Sequence, residues 1–405
     1  FPPFAFLTKS TFYYFNGLNH YKMKKYIFIC LFFINISCYS QTIFDVDIEQ
    51  IAVGNVNGPE AIAFDNNGLM YTANEDGRII VLNRDGSNPQ DYAQTGGRPL
   101  GLKFDLQGNL IVADAFQGLL SIDTAGQITV LSTGFGGLPF MLTDDLDIGS
   151  DGTIYFSDAS SVNNLGNHTN DWGEPNGRLL SFNPNTNITS LLLDSLYFAN
   201  GVALSNDESY LVVNETALGV TRRYWLTGPN AGQTDVFSNI YQNIGLVFPD
   251  NITHNDDNLF WVATFNGPVL GIDDNGQIIY QLNFDANLFI QNTSAIQFND
   301  TLYLGTLHDS IIGKITIPVE ILLSNSNYII EKSDFSIYPN PTKENVTISA
   351  ENINGNIQTE VFDLIGNKLQ VTNETTISLR GYSKGIYILK VAYGDRVQEV
   401  KVIKE

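Results

Sequence analysis

One pattern, returned six times along the chain, restricts the fold more than any other feature. "GPEAIAFDNNGLMYTANEDGRIIVLNRDG", from Gly58 to Gly86, alternates apolar and other residues up to a DNNG turn, then alternates again up to RDG: strand, turn, strand, turn. Related stretches begin at Gly97, Phe140, Ala199, Pro249 and Thr293. Aligned on their turns, they bring Glu60, Leu100, Asp144, Asn200, Asp250 and Ser294 to one register, in steps of 40, 44, 56, 50 and 44 residues. A period of that size, built of short strands and Gly/Asn/Asp turns, is the signature of a β-propeller with one four-stranded blade per repeat. The expected fold is therefore all-β, with six blades.

In a propeller the innermost strand of each blade runs along the central axis, so residues where these strands begin converge from all sides. Four of the six equivalent positions are Glu60, Asp144, Asn200 and Asp250, with Asp145 and Asn251 beside two of them. Any one Asp or Asn is an ordinary turn residue. Their coincidence at one register in four blades is not. Carboxylates gathered at an axis would repel and take up protons unless a cation lay between them. Oxygen donors without Cys or His suit a hard divalent ion, and a flexible shell drawn from four blades suits Ca²⁺. By register the expected ligands are Glu60, Asp144, Asn200 and Asp250, with Asp145 and Asn251 beside them. Asp65, Asp105, Asp114, Asp151 and Asp158 fall in turns or on second strands and are expected to be structural.

Charge divides the chain. Residues 41–332 hold 9 Lys or Arg against 34 Asp or Glu, net −25, whereas residues 333–405 hold 8 against 9, net −1. This argues for two domains and against nucleic acid or an anionic membrane as a partner of the first. Upstream, Phe1 is no ordinary initiator, residues 1–22 have no readable period, and Met23 reads as a start. "MKKYIFICLFFINISCYSQT" then gives Lys24 and Lys25, an apolar run from Tyr26 to Ile36 and small residues before Gln41, the pattern of a signal peptide over 23–40. A lipidated Cys38 is the rival reading, but Asn35 stands where a lipobox calls for Leu. Both cysteines, Cys30 and Cys38, lie in this leader, so residues 41–405 have no thiol for a disulfide, a nucleophile or a metal site. The resulting organisation is a propeller over 41–322, a linker over 323–333 and a β-sandwich over 334–405, with no transmembrane segment in the mature protein.

The segments "GPEAIAFD", "GRPLGLKFD", "DDLDIGSDGTIYFSDASS", "FANGVALSNDESYLVVNETALGVTRRYWLTG", "FPDNI" and "LYLGTLH" resemble, in this order, the strictosidine synthase-like proteins. More distantly they resemble gluconolactonases of the senescence marker protein group and paraoxonases. The resemblance implies a six-bladed propeller, with Glu60, Asn200 and Asp250 as ligands of an axial divalent ion and Asp144 and Asn251 as further candidates. Two departures limit what activity carries over. Ser294 stands where strictosidine synthase keeps its catalytic glutamate, and Leu100 stands where paraoxonases place a channel histidine. Of the four histidines, His20 precedes the mature chain, His168 lies in a loop of the third blade, and His308 ends a second strand. Strict alternation puts His254 on the same face as Asp250.

In the tail, "FSIYPNPTKENVTIS" and "GIYILKV" resemble the C-terminal sorting domain of the type IX secretion system. That resemblance implies a bacterium of the Bacteroidetes type, passage through the periplasm and across the outer membrane, and an exported or surface-attached product that engages the type IX machinery. The functional expectation is a secreted, metal-dependent hydrolase of lactones or esters, with Ca²⁺ as cofactor, a small lactone or ester as substrate, and Asp250 and Asp145 as the carboxylates that activate water. The competing expectation is a non-catalytic propeller whose ion is structural and whose surface binds a ligand or a protein.

Overall fold

A computed structural model describes residues 41–405 apart from 168–171, 256–257, 286, 289–290, 326–334, 351–356, 365–366 and 394–395. The leader over 1–40, His168 and most of the expected linker lie outside the described residues. The repeats form six antiparallel sheets. Blades one to four are each a four-stranded meander, starting at Ile62–Phe64, Pro99–Phe104, Thr143–Ile148 and Ala199–Leu204. Blades five and six start at Phe248–His254 and Asn292–Phe298.

The ring is closed by strands that precede the first repeat. Glu49–Ile51 pairs antiparallel with Ile312–Thr316 and supplies the outer strand that blade six lacks. Thr42–Asp45 pairs parallel with Ile278–Asn283 and adds a fifth strand to blade five. Hydrogen bonds between the two ends of the propeller thus stand in for a covalent link, and the helix Val319–Asn325 follows blade six with Ile321 packed into its core.

The turn acids do the structural work expected of them. Asp105 accepts from the backbone N–H groups of Gln107 and Asn109 at 2.9 and 2.8 Å, and Gly108 takes the left-handed conformation (φ 83°) that closes the turn. Asp65, Asp123, Asp151 and Asp273 accept from backbone N–H groups in their own turns. A second set brackets the axis. Asp114, Asp158 and Glu215, at the ends of second strands, accept from Arg98 N–H (3.0 Å), Leu142 N–H (2.8 Å) and Tyr197 N–H (3.0 Å), holding the chain where the inner strands begin. Between blades, apolar faces interlock: Ile252, Phe260 and Val262 of blade five meet Ala203, Tyr210 and Val212 of blade four in one buried cluster.

The tail folds as two antiparallel sheets. One joins Phe335–Tyr338, Asn345–Ala350 and Thr376–Ser378; the other joins Lys368–Thr372, Ile357–Phe362, Gly385–Tyr393 and Arg396–Lys404. Val346, Ile348, Val361, Ile377, Leu389 and Val391 form its core, as a β-sandwich requires.

Candidate metal and active site

The candidate residues are aimed by an irregularity of the sheet. In blade three the inner strand advances from Thr143 to Leu146 while its partner advances only from Asp158 to Phe156. The same extra residue appears between Ala199 and Val202 and between Pro249 and Ile252. Blades two and six have a bulge at the matching place, between Pro99 and Gly101 and between Asn292 and Ser294. A β-bulge re-aims side chains and bends the strand. Asp144 with Asp145, Asn200 with Gly201, and Asp250 with Asn251 are the bulged pairs.

All five expected ligands are buried: Glu60 4%, Asp144 3%, Asn200 5%, Asp250 7% and Asn251 3% exposed. The structure brings four of the acids into one electrostatic neighbourhood. Asp144 is raised well above the ordinary carboxyl range, first by burial and then by the charges of Glu60, Asp250 and Asp145. Asp250 is likewise raised by burial and by Glu60, and a hydrogen bond from the Asn200 side chain opposes the rise. Oδ1 of Asp144, Asn200, Asp250 and Asn251 are all buried without a hydrogen-bond partner. Four orphaned acceptor oxygens at one register, with no donor aimed at any of them, are what a hard cation would satisfy. Among the described residues no group of three His, Cys, Asp or Glu side chains is placed to hold a metal ion, so an ion here would draw on the amide oxygens.

Glu60 has a partner that the sequence did not reveal. Arg98, buried to 2% exposure, donates from Nη2 to Glu60 Oε2 at 3.0 Å, from Nη1 to the Gly58 carbonyl at 2.8 Å and from Nη2 to the Leu307 carbonyl at 3.0 Å. Burial still lifts the Glu60 carboxyl to about 7, with the Arg98 guanidinium opposing the rise. Gly58 has φ +56°, and a Cβ there would lie 2.4 Å from the Leu307 carbonyl oxygen, so only glycine allows this approach. A detectable signal did exist: one Arg two residues before the ring register, in a region almost bare of cations. Asn292, also two residues before a ring position, is buried with both amide atoms unpartnered and was equally missed.

The other candidates are placed differently. Asp145 Oδ2 accepts from Val202 N–H at 3.0 Å and Asp147 Oδ2 from Leu204 N–H at 2.9 Å, so both tie blade three to blade four. Burial pushes the Asp145 carboxyl up to about 7. Asp145, Asn251 and Ser294 line a cavity of about 740 Å³ that extends along the inner strands to Asp65, Asp105 and Asn299. Ser294 Oγ accepts from Gly305 N–H at 3.1 Å, and Leu100 sits in an apolar cluster with Leu142 and Phe198. His254 does not share the face of Asp250. The bulge between them shifts the alternation by one, so His254 stacks on Phe260 at 4.0 Å between ring centres, its Nε2 3.4 Å from Asp274. His308 is exposed beside Glu75.

Known proteins place this geometry in context. The strictosidine synthase profile matches residues 144–229, the N-terminal profile of strictosidine synthase-like proteins matches 46–82, and the secretion system C-terminal sorting domain matches 336–405. Strictosidine synthase-like protein 4 of Arabidopsis thaliana is 34% identical over 313 residues, covering 66% of this chain and 82% of its own length. The chain spans 59% of the length of two further Arabidopsis relatives. In fold it is similar to a gluconolactonase from Xanthomonas campestris (TM-score 0.55, 16% identity, 66% of this chain, 89% of that one) and to a calcium-binding regucalcin from Agrobacterium tumefaciens (TM-score 0.54, 16% identity, 69% and 96%). The tail is a C-terminal sorting domain, which directs export through the type IX secretion system. No described helix is long and apolar enough to cross a membrane.

Proposed function

The chain belongs to the strictosidine synthase-like family of propellers, and from that premise we propose that it is an exported hydrolase of lactones or esters whose ring of acid and amide oxygens holds a divalent cation, Ca²⁺ by its donor chemistry. The observation that carries this reading is the set of orphaned oxygens on Asp144, Asn200, Asp250 and Asn251, with Glu60 held beside them by Arg98. When bound, the ion supplies Lewis acidity to a carbonyl oxygen. The chain's own residues do the rest. Arg98 fixes Glu60, and the Asn200 hydrogen bond orients Asp250. Asp250 accepts the proton of the attacking water, a role suited to a buried carboxyl held above its ordinary range. Asp145 is the second candidate for this role; like Asp250, which accepts from Asn200, it has one oxygen committed, to Val202 N–H. The reaction class follows the gluconolactonase among the fold neighbours.

One observation favours a second reading, a non-catalytic propeller with a structural ion. His254 stacks on Phe260, His308 is exposed beside Glu75, and Ser294 is tied to the backbone, so among the described residues no histidine base or serine nucleophile is offered at the ring. A panel of lactones and aryl or alkyl esters, assayed with the full chain in Ca²⁺ and in excess chelator, separates the two. Turnover abolished by chelator supports the hydrolase; no turnover on any of the panel supports the binding propeller.

A further inference from the structure

The sequence contains three tryptophans, and their indole N–H groups have different fates. Trp261 Nε1 donates to Gln297 Oε1 at 2.7 Å, and Trp225 Nε1 lies 3.3 Å from Asp235 Oδ2. Trp172 Nε1 is buried and has no acceptor. A buried donor left unpaired costs about 1–3 kcal/mol, so this N–H, on a half-buried ring, asks for a partner that comes from outside the chain.

Its surroundings say where that partner would sit. The Trp172 ring meets Phe248 edge-on at 5.0 Å and lies 5.8 Å from Phe198. Phe198 and Phe248 each stand two residues before a ring position, Asn200 and Asp250, so Trp172 packs on the segments that lead into the site on blades four and five. Phe198 is held at φ 60°, a left-handed conformation that a bulky residue adopts only when its surroundings enforce it. Leu100 and Leu142, buried in the same apolar cluster, back these rings on blades two and three. An apolar wall with one free donor suits a flat hydrocarbon group bearing a single acceptor; it is unsuited to a polyol, whose hydroxyls would each lose water without finding a partner.

We propose that Trp172 orients the substrate, its N–H donating to an oxygen of an aryl or similarly apolar ester or lactone while Phe198 and Phe248 hold the apolar part. This rests on the hydrolase reading for the word substrate, but not for binding. The test uses the full chain and 4-phenyl-2-butanone, an uncleavable isostere of benzyl acetate. The ketone should bind by calorimetry and quench the fluorescence of wild type and of Trp225→Phe alike, since Trp225 is not the reporter. In Trp172→Phe, whose ring packing is kept and whose melting midpoint verifies folding, ketone affinity should fall about tenfold, the value of one hydrogen bond. The KM for benzyl acetate should rise by the same factor with kcat within twofold, and gluconolactone should not displace the ketone. Unchanged ketone affinity in Trp172→Phe, absence of quenching in wild type and Trp225→Phe, or displacement by gluconolactone would overturn the proposal. Trp172-dependent ketone binding with no hydrolysis of any ester would sink the hydrolase reading and leave this one standing.

Discussion

Glu60 permits a test that needs no ligand at all. In the ion-free protein its carboxyl is raised from 4.5 to about 7, chiefly by burial. A carboxyl with a higher pKa in the folded than in the unfolded state favours folding only while protonated. That contribution is complete below pH 4.5 and is lost as the pH rises through about 7. The rise of roughly 2.5 pH units corresponds to about 3 kcal/mol, which for a domain of this size moves the melting midpoint by roughly 6–12 °C. Glu60→Gln keeps the shape, can still accept from Arg98 and does not titrate. Thermal melting of the full chain in excess chelator, from pH 4.5 to 8, should show wild type losing stability relative to Glu60→Gln across this window. Asp144, Asp145 and Asp250 titrate in both proteins, so the difference between the two curves isolates Glu60 and its coupling to them. Parallel curves, within about 2 °C throughout, would refute the claim that Glu60 is buried among like charges.

Arg98→Met leaves Glu60 buried without its cation and should cost about 3–5 kcal/mol, seen as a lowered urea midpoint with Arg98→Lys intermediate. At Gly305, a Cβ would lie 2.2 Å from the Glu60 carbonyl oxygen and 2.4 Å from Ser294 Oγ; Gly305→Ala should therefore displace Glu60 and blunt any Ca²⁺-induced rise in melting midpoint. His254→Phe preserves the stack on Phe260, and the hydrolysis rate should stay within about twofold of wild type; a loss of a hundredfold or more would reinstate His254 as a base. Ca²⁺ at a hundred times its dissociation constant should stabilise by about 2.7 kcal/mol. Mg²⁺ should do less, because ligands spread over four blades do not contract to its shorter distances.

The repeat was legible because period-two alternation and Gly/Asn/Asp turns are local signals, and the ring register followed from aligning them. Ring closure was not, since Thr42–Asp45 and Glu49–Ile51 pair with strands more than two hundred residues away and carry no mark of it. The bulges were equally hidden. They are why alternation counted from Asp250 misplaced His254, while Asp144, Asn200 and Asp250, at the bulges themselves, landed where the register put them. Trp172 was not legible, because an aromatic gains meaning only from what it touches, and Arg98 left only the faint mark of a cation two residues before the register in a stretch almost bare of cations.

Direct titration of Ca²⁺ into the chelator-stripped full chain, followed by calorimetry and repeated with Asp250→Asn, bears most closely on the central claim. Asparagine keeps the shape and the orphaned oxygen of Asp250 but removes its charge. The account predicts one ion per chain in wild type, binding that tightens as the pH rises through about 7 and the Glu60 carboxyl gives up its proton, and an affinity at least about tenfold weaker in Asp250→Asn. No binding in wild type at millimolar Ca²⁺, or equal affinity in the two proteins, would contradict it.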